Sequence, residues 1–200
     1  TNIHGPDPRP DDDCVTVNVP SRDILLTDLD ARMRKGQGYS IATLNLDHVT
    51  KLRGQSAFEK AYLAHTHVTA DGNPIVWLSR LSGQDVALLP GSELIDPVAA
   101  LAERNKISVA LLGSTQDSLQ AAATALVARY PDLDVCAKIA PPMGFDPAGE
   151  GGESAIKALR ESGAGLCFLA LGAPKQEIFA ARAQAVLPQM GFLSIGAGLD

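Results

Sequence analysis

Ile107-Ser108-Val109-Ala110-Leu111-Leu112, closed by Gly113-Ser114, is the stretch that decides the fold. It is apolar and partly β-branched, with no polar alternation, the pattern of a strand covered on both faces as in a parallel sheet. Downstream, Leu119, Ala122, Ala123, Leu126, Val127 and Tyr130 lie 3, 4, 7, 8 and 11 residues apart counted from Leu119, which is one face of a 3.6-residue period. Ser114 and Asp117 have the spacing of a capping box, with Asp in place of Glu, at the start of that helix. A buried strand leading through a glycine into an amphipathic helix is one half of a βαβ unit.

The same alternation extends in both directions. Toward the C-terminus come a strand over 133–139, a Pro/Gly-rich loop over 140–152, a helix over 153–162 and a strand over 165–171. Gly172-Ala173-Pro174 then opens a helix to about 187, since proline suits a first helical turn, and 191–195 reads as the last strand. Toward the N-terminus, 14–19 reads as a strand, 21–35 as a helix and 39–43 as a strand. Helical stretches follow at 47–53 and 56–65, then a short strand at 67–69, a helix from Pro74 and a helix over 91–105. Strands alternating with helices of about 10–15 residues predict an α/β fold, a single-domain Rossmann-like sandwich with a mostly parallel sheet over 14–200. Residues 1–13, rich in Pro and Asp, are expected to be disordered.

Composition narrows the function classes. The chain of 200 residues is 46% hydrophobic with 4% aromatic, so the core is aliphatic. Net charge is -6; Asp7, Asp11, Asp12 and Asp13 against Arg9 place half of it in 1–13. No basic stripe suited to nucleic acid is present. No segment approaches the ~20 apolar residues of a membrane span, and no signal peptide opens the chain, which predicts a cytoplasmic protein. The first methionine is Met33, so the chain reads as processed or as a fragment. Cys14, Cys136 and Cys167 each lie in an apolar run, with no CxxC, and are expected to be buried reduced thiols.

In an open parallel sheet, ligands bind beyond the carboxyl ends of the strands. Four polar or glycine-rich segments fall there: Thr43-Leu44-Asn45, Ala70-Asp71-Gly72, Gly113-Ser114-Thr115 and Gly172-Ala173-Pro174-Lys175-Gln176-Glu177. Asp71 is either a turn former or a carboxylate on a rigid strand end, which Gly72 leaves open to a ligand. Thr43 and Asn45, two apart in extended chain, face one side, either as cap residues or as hydrogen-bond partners for a sugar or phosphate. After Pro174, the amides of Lys175, Gln176 and Glu177 and the Lys175 ammonium would suit an anion such as a pyrophosphate, unless this is an ordinary capped helix with solvated charges.

Other motifs are set aside. The chain has no P-loop, HExxH or GxSxG. A NAD-type oxidoreductase would need a glycine fingerprint after the first strand, where Pro20-Ser21-Arg22 stands. A non-catalytic nucleotide-binding module is the other alternative. His65 and His67 lack further ligands for zinc. Asp28-Leu29-Asp30 and Asp132-Leu133-Asp134 match DxD but fall on a helix and a strand start, where a solvated face is expected.

These strand ends also resemble a known family, the WecG/TagA/CpsF glycosyltransferases. The similar segments are Thr43-Leu44-Asn45-Leu46-Asp47-His48, Thr69-Ala70-Asp71-Gly72 with Pro74-Ile75-Val76, Gly91-Ser92-Glu93-Leu94, Leu111-Leu112-Gly113-Ser114, Ala170-Leu171-Gly172-Ala173-Pro174-Lys175-Gln176-Glu177 and Ile195-Gly196-Ala197-Gly198-Leu199-Asp200. The resemblance implies inverting transfer of a sugar from a UDP-sugar to a lipid-linked acceptor at the inner membrane face, in cell-surface polysaccharide synthesis. It implies no cofactor and no metal, and leaves a homo-oligomer open. By motif, Asp71 is implied as the catalytic base, with Thr43, Asn45 and Gln176 as active-site contacts. Gly113, Ser114, Gly172, Pro174, Lys175 and Glu177 complete the expected substrate-binding set. The family often carries an arginine where Leu88 stands here, and it continues past the final Asp with a basic, membrane-binding segment that 14–200 is expected to lack.

Overall fold

A computed structural model describes residues 14–196; the tail 1–13 expected to be disordered and the segment 197–200 lie outside the described residues. Six apolar runs form strands: β1 Tyr39–Leu44, β2 His67–Ala70, β3 Val109–Gly113, β4 Val135–Ile139, β5 Leu166–Ala170 and β6 Gly191–Ser194. They make one sheet in the order β2-β1-β6-β5-β3-β4, and every pair is parallel. The helices are α1 Arg22–Lys35, α2 Leu46–Leu52, α3 Ser56–Ala64, α4 Asn73–Leu81, α5 Gly91–Arg104, α6 Gln116–Arg129, α7 Glu150–Ser162 and α8 Lys175–Val186.

Parallel strands need return connections, and here helices make them on both faces. Side chains alternate along each strand, so each strand feeds two cores. Tyr39, Ile41, Val109, Leu111, Leu166, Phe168 and Leu193 pack with α1, α5 and α6. On the opposite face, Ala110, Leu112, Cys167, Leu169 and Phe192 pack with α7 and α8, while Ala42, Leu44, Val68 and Ala70 pack with Phe58 and Tyr62 of α3 and with α4. The expected sandwich is therefore present, with a sheet that is wholly parallel.

Several expectations need correction. Residues 14–19 form no strand. Their alternation is right, since Val17 and Val19 are buried, but a side chain makes most of the contact with β2. Asn18 donates its backbone N–H to Val68 O (3.1 Å), accepts from Val68 N through Oδ1 (2.8 Å) and donates Nδ2 to Thr66 O (3.0 Å). Helix α6 is capped by Thr115, whose Oγ1 accepts from Ser118 N (3.2 Å), not by Ser114. Val127 lies on the exposed side of that helix. Helix α7 starts at Glu150, inside the expected loop.

Only Cys167 is a buried thiol. Cys136 is exposed because β4 is an edge strand, and Cys14 is exposed in the N-terminal extended segment. The Asp28-Leu29-Asp30 carboxylates are not a solvated face but ties between elements. Asp28 accepts from His67 Nε2 of β2 (2.6 Å) and from Arg32 (3.0 Å); Asp30 pairs with Arg34 and with Arg104 of α5.

His65 sits at the end of α3, 7% exposed, donating Nδ1–H to Ala61 O (2.6 Å), with its Nε2 buried and unpartnered. Burial holds its pKa down to about 4, against the pull of the Ala61 carbonyl. A histidine buried neutral stabilises the fold fully above its unfolded pKa of ~6.5; that stabilisation is lost as pH falls from there toward the folded value, because the unfolded chain takes the proton first. His67, lowered by burial despite Asp28, adds in the same direction. We therefore expect stability to fall between pH 7 and pH 5 by about 2 kcal/mol through His65 alone. His65→Gln should flatten the curve of unfolding midpoint against pH, and an unchanged slope would refute the assignment.

Candidate active site at the carboxyl edge of the sheet

Because all strands run parallel, their carboxyl ends form one edge. Along it stand Asp71 after β2, Asn45 after β1, Gly196 after β6, Gly172 after β5 and Ser114 after β3. At ~4.8 Å per strand, β2 and β3 are four spacings, ~19 Å, apart. Asp71 and Thr43-Leu44-Asn45 thus lie together, Gly172 is further along, and Gly113-Ser114 is at the far side.

Asp71 donates its N–H to Leu44 O (2.9 Å), which pins the end of β2 to the end of β1. Its carboxylate is half-buried and takes no hydrogen bond from another described residue. Gly72 follows at φ 126°, a conformation that side-chain-bearing residues rarely adopt. A Cβ there would meet nothing closer than Pro74 Cδ at 3.7 Å, so backbone conformation, not crowding, requires the glycine. Beside β2, Leu89 N–H donates to Ala70 O (2.8 Å) and Leu88 forms a parallel bridge with Ala70. The position of the family's arginine therefore adjoins Asp71, but here it is a leucine, 41% exposed.

Thr43 is held from two sides. Its carbonyl accepts from Tyr62 Oη (2.5 Å) and from His48 Nδ1 (3.0 Å); because a carbonyl cannot donate, His48 carries its proton on Nδ1. Tyr62 and His48 are themselves 2.9 Å apart. The Thr43 methyl packs toward Gly91 at the start of α5, where a Cβ would lie 2.9 Å from Ser194 O and 3.3 Å from Thr43 Cγ2. Asn45 caps α2, its Oδ1 accepting from His48 N (2.8 Å). The cap reading is thus realised, and the Asn45 NH2 is the part left for a ligand.

The Gly172–Glu177 box differs from expectation. Pro174 is the cap residue and α8 begins at Lys175. The Gln176 amide is not free but donates to Gly172 O (3.0 Å). Gln176 and Glu177 are buried, not solvated: Gln176 Nε2 donates to Glu177 Oε1 (3.1 Å), and Gln176 Oε1 accepts from Gly196 N (3.0 Å). Glu177 Oε2 has no partner. Burial raises the Glu177 pKa, opposed by Gln176 and by His48 and Lys51 nearby. Burial raises Tyr62 too, helped by the charges of Glu177 and Asp71. Lys175 is exposed and pairs with no carboxylate among the described residues.

Gly113 at φ 120° brings β3 against β5, where a Cβ would lie 2.3 Å from Ala170 O, and Ser114 follows in the left-handed region at φ 57°. A non-glycine residue there costs on the order of 1 kcal/mol and persists only where its surroundings hold it. The reading of individual residues missed Tyr62, His48 and Gly91. Only Pro90 before Gly91, opening a long helix, carried a local signal. Among the described residues no group of three or more His, Cys, Asp or Glu could hold a metal ion.

The whole described edge lies inside the match to one family model, described as the glycosyl transferase WecG/TagA/CpsF family, over residues 14–200. An N-acetylglucosaminyldiphosphoundecaprenol N-acetyl-beta-D-mannosaminyltransferase of Staphylococcus aureus (strain NCTC 8325 / PS 47) is 30% identical over 138 residues, covering 68% of this chain and 52% of that protein. Proteins of the same name from strains COL and MRSA252 match to the same extent. The chain spans about half the length of the curated relatives it matches.

The Tyr62 hydroxyl should matter to this edge. Tyr62→Phe leaves the Thr43 carbonyl to His48 alone, and we expect a loss of about 1–2 kcal/mol in unfolding free energy. Faster amide hydrogen exchange over 43–48 should accompany it. Unchanged stability and exchange would show that the hydroxyl does not hold β1.

Proposed function

The chain belongs to the WecG/TagA/CpsF family of glycosyl transferases, and from that premise we propose that it transfers a sugar from a UDP-sugar to a lipid-linked acceptor in the synthesis of a bacterial cell-surface polysaccharide. The observation that carries this reading is the Asp71 carboxylate: half-buried, free of hydrogen bonds from other described residues and pinned beside β1 by its own N–H. A carboxylate so placed can accept a proton.

In the proposed step, Asp71 takes the proton of the acceptor hydroxyl as that oxygen attacks the anomeric carbon. The bond from that carbon to the diphosphate oxygen breaks on the opposite face, the nucleoside diphosphate leaves, and the configuration inverts. General-base assistance of this kind contributes ~10²–10⁴-fold. The leaving diphosphate would be held by backbone amides and by Lys175, without a bound metal. Helix α5 supports this role. Its cap residue, Pro90, offers no side-chain cap, and its first residue, Gly91, packs over the ends of β1 and β6. Asn45 and Thr43 would contact the sugar or phosphate. Gln176 acts here through Gly196, keeping the end of β6 in place, while Gly113, Ser114, Gly172 and Pro174 would line the far side of the donor.

The names of the relatives specify an N-acetylmannosaminyl group and a diphosphoundecaprenol-linked acceptor. That likeness supports an N-acetylhexosamine donor and a polyprenyl-diphosphate acceptor. Among the described residues no helix is long and apolar enough to cross a membrane. The proposed location is therefore peripheral, at the inner face of the cytoplasmic membrane where such an acceptor is carried.

Asp71→Asn should lower turnover ~10²–10⁴-fold while UDP-sugar binding, measured separately by calorimetry, stays intact. Near-normal turnover would overturn the base assignment, and binding of NAD in place of UDP would overturn the reaction class. A chelator in excess should leave turnover unchanged; loss that is restored by a divalent cation would refute the metal-free step.

A further inference from the structure

Helix α4 begins two residues after Asp71 and has an unusual outer face. Its buried side is Ile75, Val76 and Ser79. On the other side, Trp77 is 62%, Leu78 53% and Leu81 85% exposed, and Pro74 is exposed beside them. At 100° per residue these four fall within one arc of about 100°, a continuous apolar stripe turned to solvent. Arg80 flanks it, exposed and only loosely paired with Asp85 at 3.4 Å. Two more exposed apolar residues lie at this end of the edge: Leu46 after β1 and Leu88 beside β2.

We propose that the outer face of α4 is a docking surface for the lipid bilayer, set so that the membrane lies next to Asp71. This rests on the lipid-linked acceptor proposed above: such an acceptor brings its hydroxyl to Asp71 while its chain stays in the membrane, so the protein surface beside Asp71 has to meet lipid. The side-chain types fit. Tryptophan settles at the boundary between headgroups and chains, leucines bury below it, and a flanking arginine reaches the phosphates. The chain's net charge of -6 gives little general attraction to an anionic surface, which favours a local apolar contact at this face. A second copy of the chain fits less well. A helix of nine residues is ~13 Å long and ~10 Å wide, a footprint far below the ~800 Å² per partner of a stable interface.

Trp77 is the chain's one tryptophan, so its fluorescence reports this face directly. Adding vesicles of equimolar phosphatidylcholine and phosphatidylglycerol to the protein should shift Trp77 emission to the blue, and brominated lipids should quench it. Leu78→Gln with Leu81→Gln keeps the reporter and, lying on the surface, should leave the circular dichroism unchanged while weakening vesicle partitioning at least about tenfold. The same variant should match the wild type on a water-soluble acceptor and lose at least about tenfold in kcat/KM on an acceptor embedded in vesicles. Emission that ignores vesicles overturns the proposal, as does a blue shift that needs no vesicles and tracks a concentration-dependent dimer. A vesicle-dependent shift in a protein that transfers sugar to neither acceptor supports the membrane face and overturns the glycosyl-transfer reading instead.

Discussion

Strand β6 holds the molecule together. β2 and β1 come from the first part of the chain, β5, β3 and β4 from the rest, and β6, the last strand among the described residues, is inserted between β1 and β5. It pairs in register with both, Ile41 with Leu193 on one side and Leu169 with Ser194 on the other. Its two central side chains serve different cores, Leu193 with α1 and α5 and Phe192 with α7 and α8. The strand opens with Gly191 because the Tyr39 ring already fills that space; a Cβ would lie 2.1 Å from Tyr39 Cζ. Only with β6 in place does the Asp71 half of the edge face the Gly172 half.

The same strand carries the polar architecture of the edge. Gly91 can start α5 over β1 and β6 because it has no side chain to strike Ser194 O. Gly196, just past β6, is held by the Gln176 side chain, and Gln176 in turn leans on Glu177. A carboxyl group as buried as Glu177 is costly when charged, and its raised pKa is the response to that cost. Tyr62 and His48 hold the Thr43 carbonyl, while Gln176, leaning on Glu177, holds Gly196 past the end of β6. None of these residues hydrogen-bonds the Asp71 carboxylate.

The two halves of the edge differ in character. Around β1 and β2 the edge is flanked by exposed apolar side chains, while β5 and β3 end in tight glycine turns and the starts of α8 and α6. A ligand with a polar, charged end and a partner with an apolar body would find different surroundings at opposite sides of one edge. That asymmetry comes from topology. β2 is an edge strand, so the helix after it, α4, is covered on one side only.

The alternation of buried runs with helical periods is local, and by itself it determined the α/β class, the order of elements and most of their bounds. Glycine or proline breaks likewise marked the ends of β2, β3 and β5, because turn chemistry is written in single residues, while the end of β1 at Asn45 carried none. Short-range pattern misled where a side chain replaced a ladder, as Asn18 does for 14–19, and where neighbours altered exposure, as at edge strand β4 for Cys136. Gln176 and Glu177 read either as part of an anion site or as an ordinary solvated helix start, yet both are buried in α8, which packs against α3. The strand order, the support of Thr43 by Tyr62 and His48, and the seat of Gly91 join residues far apart in the chain. Those contacts exist only once β6 closes the sheet, so only the tertiary structure decided them, and no window of sequence contains both partners.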